Sequence, residues 1–199
     1  PATAERFDNL VSYDGTDPAE IGRSLAVFSA FAEGVSLYSA FAVLYSFQLR
    51  NLLKGIGQQM KWSVRDESLH SRMGCRLFRH MCEEKDFLKE TCKPHILDAA
   101  HTMHDAEMKY IDKMFEMGDI EGLKSYDLKQ FIKKRLNEKL EELGYKELSK
   151  EFTYDKEAAK KLDWFYHLTG GHTHTDFFAI RPTDYSKANE GEDFENIWE

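Results

Sequence analysis

Apolar residues recur at helical spacing along most of the chain, and no stretch of useful length alternates with a period of two. Residues 1–16 form a lead-in segment without strong periodicity. Asp17-Pro18-Ala19-Glu20 then reads as a helix start: an aspartate N-cap, proline at the first helical position and glutamate at the third. A helix is predicted from there to about Tyr45. Gly55 and Gly57 punctuate the next stretch, after which a second long helix is predicted to run to about Glu84. A third starts near Pro94 and stops before Gly118, with Ile96, Leu97, Ala100, Ile111, Met114 and Phe115 as its apolar positions. Leu128, Phe131, Ile132, Leu136, Leu140 and Leu143 mark a fourth over Ser125–Leu143, with Gly144 as its C-cap and Lys133-Lys134-Arg135 as its solvated face. A shorter helix covers about Lys156 to Leu168, before Gly170-Gly171. The pattern contains no internal repeat and predicts an all-α chain.

Composition narrows what such a chain does. Lys and Arg number 27 against 35 Asp and Glu, a net charge of −8, which argues against a nucleic-acid binder. Apolar residues make up 42% of the 199 positions, enough for a core and too many for a disordered chain. Cys75, Cys82 and Cys92 are odd in number and show no C-x-x-C spacing, so a reducing, cytoplasmic setting is expected, with no disulfide framework. No secretory signal opens the sequence. The charge is uneven: Ser186–Glu199 holds five acids and one lysine, and Phe194, Ile197 and Trp198 stand in it with little else apolar. Such a tail cannot fold by itself: it reads either as a frayed terminus or as a disordered peptide whose three large side chains anchor it to a partner.

Leu25–Phe47 carries one charge, Glu33, over a length that could cross a bilayer. Its four serines and a glycine, with a carboxylate near the middle, suit lipid poorly and suit the central helix of a soluble bundle. Inside such a helix, Glu33 must be paired, protonated or bound to metal. Glu67 and His70 stand three residues apart on the second helix, one turn apart on one face, where both reach one ion. A glutamate from one helix with Glu-x-x-His from its neighbour is half of a ferritin-like di-metal carboxylate site. His101 and His104, also three apart, read as a solvated face, and His172 and His174 as loop residues.

The segment EGVSLYSAFAVLYSF, with RDESLH placing its glutamate 34 positions after Glu33, resembles the second half of the small, radical-generating (beta) subunit of class I ribonucleotide reductases. Lys124–Gly144 resembles that family's helix after the metal helices, and TDFFAIRPTDYSK a segment near its C-terminus. The resemblance implies a ferritin-like helical half-bundle over residues 17–185, with residues 186–199 as a tail docking on the large catalytic subunit. It implies Glu33, Glu67 and His70 as metal ligands for two iron and/or manganese ions. Asp66 becomes an acid in the hydrogen-bonded chain behind the metal site, and Tyr185 the residue relaying the radical between subunits. Leu37 and Phe41 would wall the apolar pocket, while Ser63 stands where the family often has a larger apolar residue. A dimer of small subunits is implied, with no nucleic-acid or membrane partner.

The departure is as informative as the match. The family's first half supplies an Asp, a further E-x-x-H pair and usually the radical tyrosine, and none has a counterpart here. A separate gene product, a cleaved fragment or a second copy of this chain would have to complete the site. Two readings stand beside this one: a non-catalytic small-subunit-like scaffold, and a homodimeric di-metal oxidase built from two half-bundles.

Overall fold

The computed structural model describes residues 17–169. Helix α1 spans Pro18–Val27 and runs into a π-helical turn, Phe28–Ala32; α2 spans Tyr38–Leu49, α3 Lys54–Glu84, α4 Phe87–Met114 and α5 Ser125–Glu142. A 3-10 turn, Lys146–Leu148, leads to the short α6, Lys156–Lys160, and α7, Asp163–Thr169. Among the described residues there is no strand, only an isolated bridge between Ile120 and Leu123. Tyr185, His172, His174 and the acidic tail lie outside the described residues.

The helix starts follow the expected chemistry. Asp17 caps α1, its carboxylate accepting from the Ala19 N–H at 2.9 Å, with Pro18 in the first turn. Asp155 caps α6 through Glu157 and Ala158. The predicted stripe of α5 is fully buried: Leu128, Phe131, Ile132, Leu136 and Leu140 are at 0% exposure. Gly144, at φ +97°, ends that helix in the left-handed conformation that glycine adopts without strain.

Four boundaries differ from the sequence pattern. The second long helix, α3, begins at Lys54 and takes in both Gly55 and Gly57, which were expected to precede it. The first long helix is two, because the chain leaves the α-helical ladder between Phe28 and Leu37. The third begins at Phe87, seven residues before Pro94, which sits inside α4. Pro94 forfeits one helical N–H bond, but the preceding turns bury Leu88 and Cys92 completely, and that burial holds the helix together across it. The predicted helix over Lys156–Leu168 breaks at Lys161-Leu162. There the amides of Lys161 and Leu162 bond three residues back, tightening the chain so that Ala158, Ala159, Leu162 and Phe165 all face the core.

The core draws on all the long helices, and its aromatic part lies where α2, α5 and α7 meet. Phe165 packs edge-on against Tyr38, Tyr45 and Phe131, with centroids 5.6–5.9 Å apart. The segment between α5 and α6 is pinned by Asn137: its amide donates to the Phe152 carbonyl at 2.8 Å and accepts from the Phe152 N–H at 2.9 Å, all buried. Asn137→Ala leaves both backbone groups unpaired and should cost about 2 kcal/mol in urea unfolding. A loss below about 0.5 kcal/mol, within the range of a neutral surface change, would contradict this account.

Candidate metal centre

The segment bearing Glu33 is shaped by the π-helical turn. The Glu33 N–H bonds to the Phe28 carbonyl at 3.0 Å, five residues back, and the Ser36 N–H to Phe31 at 2.9 Å. This wider ladder, together with the Ser36 hydroxyl donating to the Ala32 carbonyl at 2.6 Å, turns the chain at Glu33 before α2 begins. Gly34 allows the close approach this requires. A Cβ there would lie 2.7 Å from the Ser71 Oγ and 2.8 Å from the Lys139 Cε. The freed Gly34 carbonyl accepts instead from the Arg135 Nε of α5. The guanidinium also lies 3.3 Å from the centre of the Tyr38 ring, and the Tyr38 hydroxyl pairs with the Ser68 Oγ at 2.7 Å, beside Glu67. One buried cation thus connects the turn that carries Glu33 to the helix that carries Glu67 and His70.

Those three residues converge. One ligand atom from each of Glu33, Glu67 and His70 lies within 4.8 Å of the others. His70 Nδ1 is 3.8 Å from Glu33 Oε1 and 3.9 Å from Glu67 Oε2, too far for hydrogen bonds. Two ligands held about 2.0–2.2 Å from one ion are about 3–4 Å apart, so this spacing and the oxygen–nitrogen donor set fit a shared transition-metal ion. Burial pushes the Glu33 carboxyl up from its ordinary range; His70 opposes that shift and Glu67 adds to it. The cluster is open on one side: the His70 side chain is 52% exposed, against 20% for Glu33 and 26% for Glu67.

The remaining candidates sort themselves by environment. Asp66 is exposed on α3, and its side chain makes no hydrogen bond among the described residues. Phe41 is buried and packs edge-on against Tyr38, while Leu37, just before α2, is 41% exposed. His101 and His104 pack their rings against Phe152 and pair with Glu151 and Asp105, so they serve the α4 surface. Burial pushes the Cys75 and Cys92 thiols up to about 11, as expected of packing residues and not of nucleophiles.

One expectation is overturned. Lys133-Lys134-Arg135 is not a solvated face: Lys133 and Lys134 are half-buried, and Arg135 is buried, as is Lys139 one turn later. The signal was present in the spacing, since Arg135 and Lys139 continue the Leu128–Phe131 stripe in steps of four. Residue type masked it, because only a carbonyl and an aromatic face from distant segments make burial of this guanidinium affordable.

Comparison with known proteins decides the family. Residues 3–156 match the family model described as ribonucleotide reductase, small chain. The chain belongs to the ribonucleotide reductase small chain family. It is 34% identical over 191 residues to a probable ribonucleoside-diphosphate reductase small subunit of Invertebrate iridescent virus 3, covering 94% of this chain and 49% of that protein. A counterpart from Invertebrate iridescent virus 6 is 30% identical over 204 residues, covering 92% and 56%. The chain therefore spans about half the length of these curated relatives. The helical arrangement matches a crystal structure of a putative class I ribonucleotide reductase from Bacillus halodurans with a TM-score of 0.66 at 22% identity, over 82% of this chain and 49% of that one. The fold is thus the ferritin-like small-subunit fold that the sequence resemblance implied. No helix among the described residues is long and apolar enough to cross a membrane, and the Leu25–Phe47 run is divided by the π-helical turn.

Proposed function

We propose that this chain forms half of a ribonucleoside-diphosphate reductase small subunit, and that with the other half it holds two iron and/or manganese ions. The observation that carries this reading is the convergence of Glu33, Glu67 and His70, from two helical segments, around a space of metal-ligand dimensions. When bound, the ions supply the redox chemistry that generates and stores an oxidising equivalent.

The chain's own residues prepare for that role. Glu33 and Glu67 bring negative charge to balance the cations, and His70 adds a nitrogen donor. Arg135 fixes the Gly34 carbonyl, which holds the Glu33 backbone in place, and Phe41 keeps water from the inner side of the site. Asp66 is positioned one residue from Glu67 to act in proton movement between the site and the surface. Tyr185 is proposed to pass the oxidising equivalent to the large subunit, where ribonucleotides are reduced to deoxyribonucleotides. Phe194, Ile197 and Trp198 would anchor the tail there. In this reading residues 17–185 form the half-bundle, small subunits pair as dimers, and the assembly works in the cytoplasm.

Metal content tests the reading directly. The chain, purified with a polypeptide supplying the other half and loaded with Fe(II) or Mn(II), should carry two ions per reconstituted unit. Glu67→Ala should lose them while keeping its helical circular dichroism. Absence of metal from the reconstituted wild-type unit with either ion would refute the proposal.

A further inference from the structure

At the turn between α2 and α3 the chain holds apolar side chains out into solvent. Leu49, Leu52 and Leu53 are 49–51% exposed and Ile56 is 39% exposed, all within eight residues. The backbone fixes them there. Asn51 and Leu53 take φ +65° and +49°, a left-handed conformation that asparagine tolerates and leucine adopts only under constraint. The base of the turn is tightly packed, since a Cβ at Gly57 of α3 would meet the Gln48 side chain of α2. The charge around this patch has one sign. From Gly34 to Arg65 the sequence contains four cations, Arg50, Lys54, Lys61 and Arg65, and no acid. Arg50 pairs with Glu121 of the α4–α5 connection at 3.4 Å, whereas Lys54 and Lys61 have no ion-pair partner among the described residues.

We propose that this patch is the resting dock of the chain's own acidic tail, residues 186–199, with Phe194, Ile197 and Trp198 on the exposed leucines and the tail's acids beside Lys54 and Lys61. Three observations identify the occupant. Charge is complementary: the tail carries five acids and one lysine, a net −4 against the +4 of residues 34–65. The tail also starts nearby. Helix α7 packs Phe165 on Tyr45, one helical turn before Leu49, and ends at Thr169. The 25 residues from there to Phe194 span roughly 25–30 Å as a flexible coil. The other end of the chain starts far away. Gly22 of α1 faces Cys92 and Phe78, so residues 1–16 join the fold beside the far end of α3, whose 31 residues measure about 45 Å. A second copy of the patch would set cations against cations. While docked, the tail is withheld from every other partner, and its apparent affinity elsewhere falls by the docked fraction.

The test uses the full 199-residue chain carrying Trp62→Phe/Trp164→Phe, which leaves Trp198 as its one tryptophan. Trp198 should be blue-shifted and shielded from acrylamide relative to a synthetic peptide of residues 186–199. Leu52→Glu/Ile56→Glu, both at exposed positions and checked for unchanged circular dichroism, should shift the docked–free equilibrium at least about tenfold, so that Trp198 quenches like the peptide. Lys54→Glu/Lys61→Glu should do the same, and adding Glu192→Lys/Glu195→Lys to that variant should restore the shielding. Mixing the Leu52→Glu/Ile56→Glu chain with a tryptophan-free chain whose patch is intact should not restore it. Restoration there would assign the tail to another copy's patch and overturn the proposal. So would a Trp198 as open as the peptide, shielding indifferent to either pair of patch substitutions, or a charge swap that fails to rescue. The readout needs no large subunit. A failed dock therefore leaves the tail's proposed role on the large subunit standing, and a tail that does not bind the large subunit leaves the dock standing.

Discussion

Replacing Glu107 by glutamine should stabilise the folded chain by about 3 kcal/mol at pH 8 and leave it nearly unchanged at pH 4. Glu107, on α4, is 4% exposed, and the Ser39 hydroxyl of α2 donates to its Oε2 at 2.6 Å. Burial dominates that hydrogen bond and pushes the carboxyl from an ordinary 4.5 up to about 7. Between those two values the folded chain keeps the proton that the unfolded chain has released. The unfolded state then binds fewer protons, so stability falls as pH rises from about 4.5 to about 7 and levels off above. Glutamine keeps an acceptor for Ser39 and carries no charge to bury. Urea unfolding of both proteins at pH 4, 6 and 8 checks this, and a difference that does not grow with pH would refute it.

Phe165→Ala should cost about 3–5 kcal/mol, the range for emptying a fully buried aromatic site. Phe165 is at 0% exposure and touches residues from two other segments of the core, Tyr38 and Tyr45 of α2 and Phe131 of α5, besides its own neighbours Trp164 and Tyr166. The loss reaches the candidate site because Tyr38 is held between Phe165 and the Arg135 guanidinium. The variant should therefore lose near-ultraviolet dichroism from its tyrosines, and hydrogen exchange at Glu33–Tyr38 should accelerate more than at α4. A cost below about 1 kcal/mol would mean that the aromatic cluster does not anchor α7.

The candidate ligand set was legible because its spacing is local. Glu67 and His70 are one helical turn apart whatever surrounds them, and a lone glutamate in an apolar run demands a partner. Resemblance to the small-subunit family supplied the order of the motifs, and the family match over residues 3–156 covers those from Glu33 to Gly144. The buried Arg135 was not legible. Three adjacent cations look like a wet face until a carbonyl 101 residues earlier in the chain is placed against one of them. Glu107 escaped for the same reason: the described side-chain hydrogen-bond partner of its buried carboxyl, Ser39, is 68 residues away.

The sequence by itself determined the all-α class, the helix starts at Asp17 and near Lys156, the apolar stripe of α5, and the candidate ligand residues. Helical period, capping and side-chain chemistry depend on neighbours within about one turn, so they are written in short stretches of chain. Tertiary structure decided where the first long helix breaks, how Glu33 meets Glu67 and His70, and which charges are buried. Each depends on groups far apart in sequence: the Gly34 carbonyl with Arg135, Tyr38 with Ser68, Gly34 against Lys139. Burial strengthens such contacts and penalises unpaired polar groups, so only the packed chain can settle them.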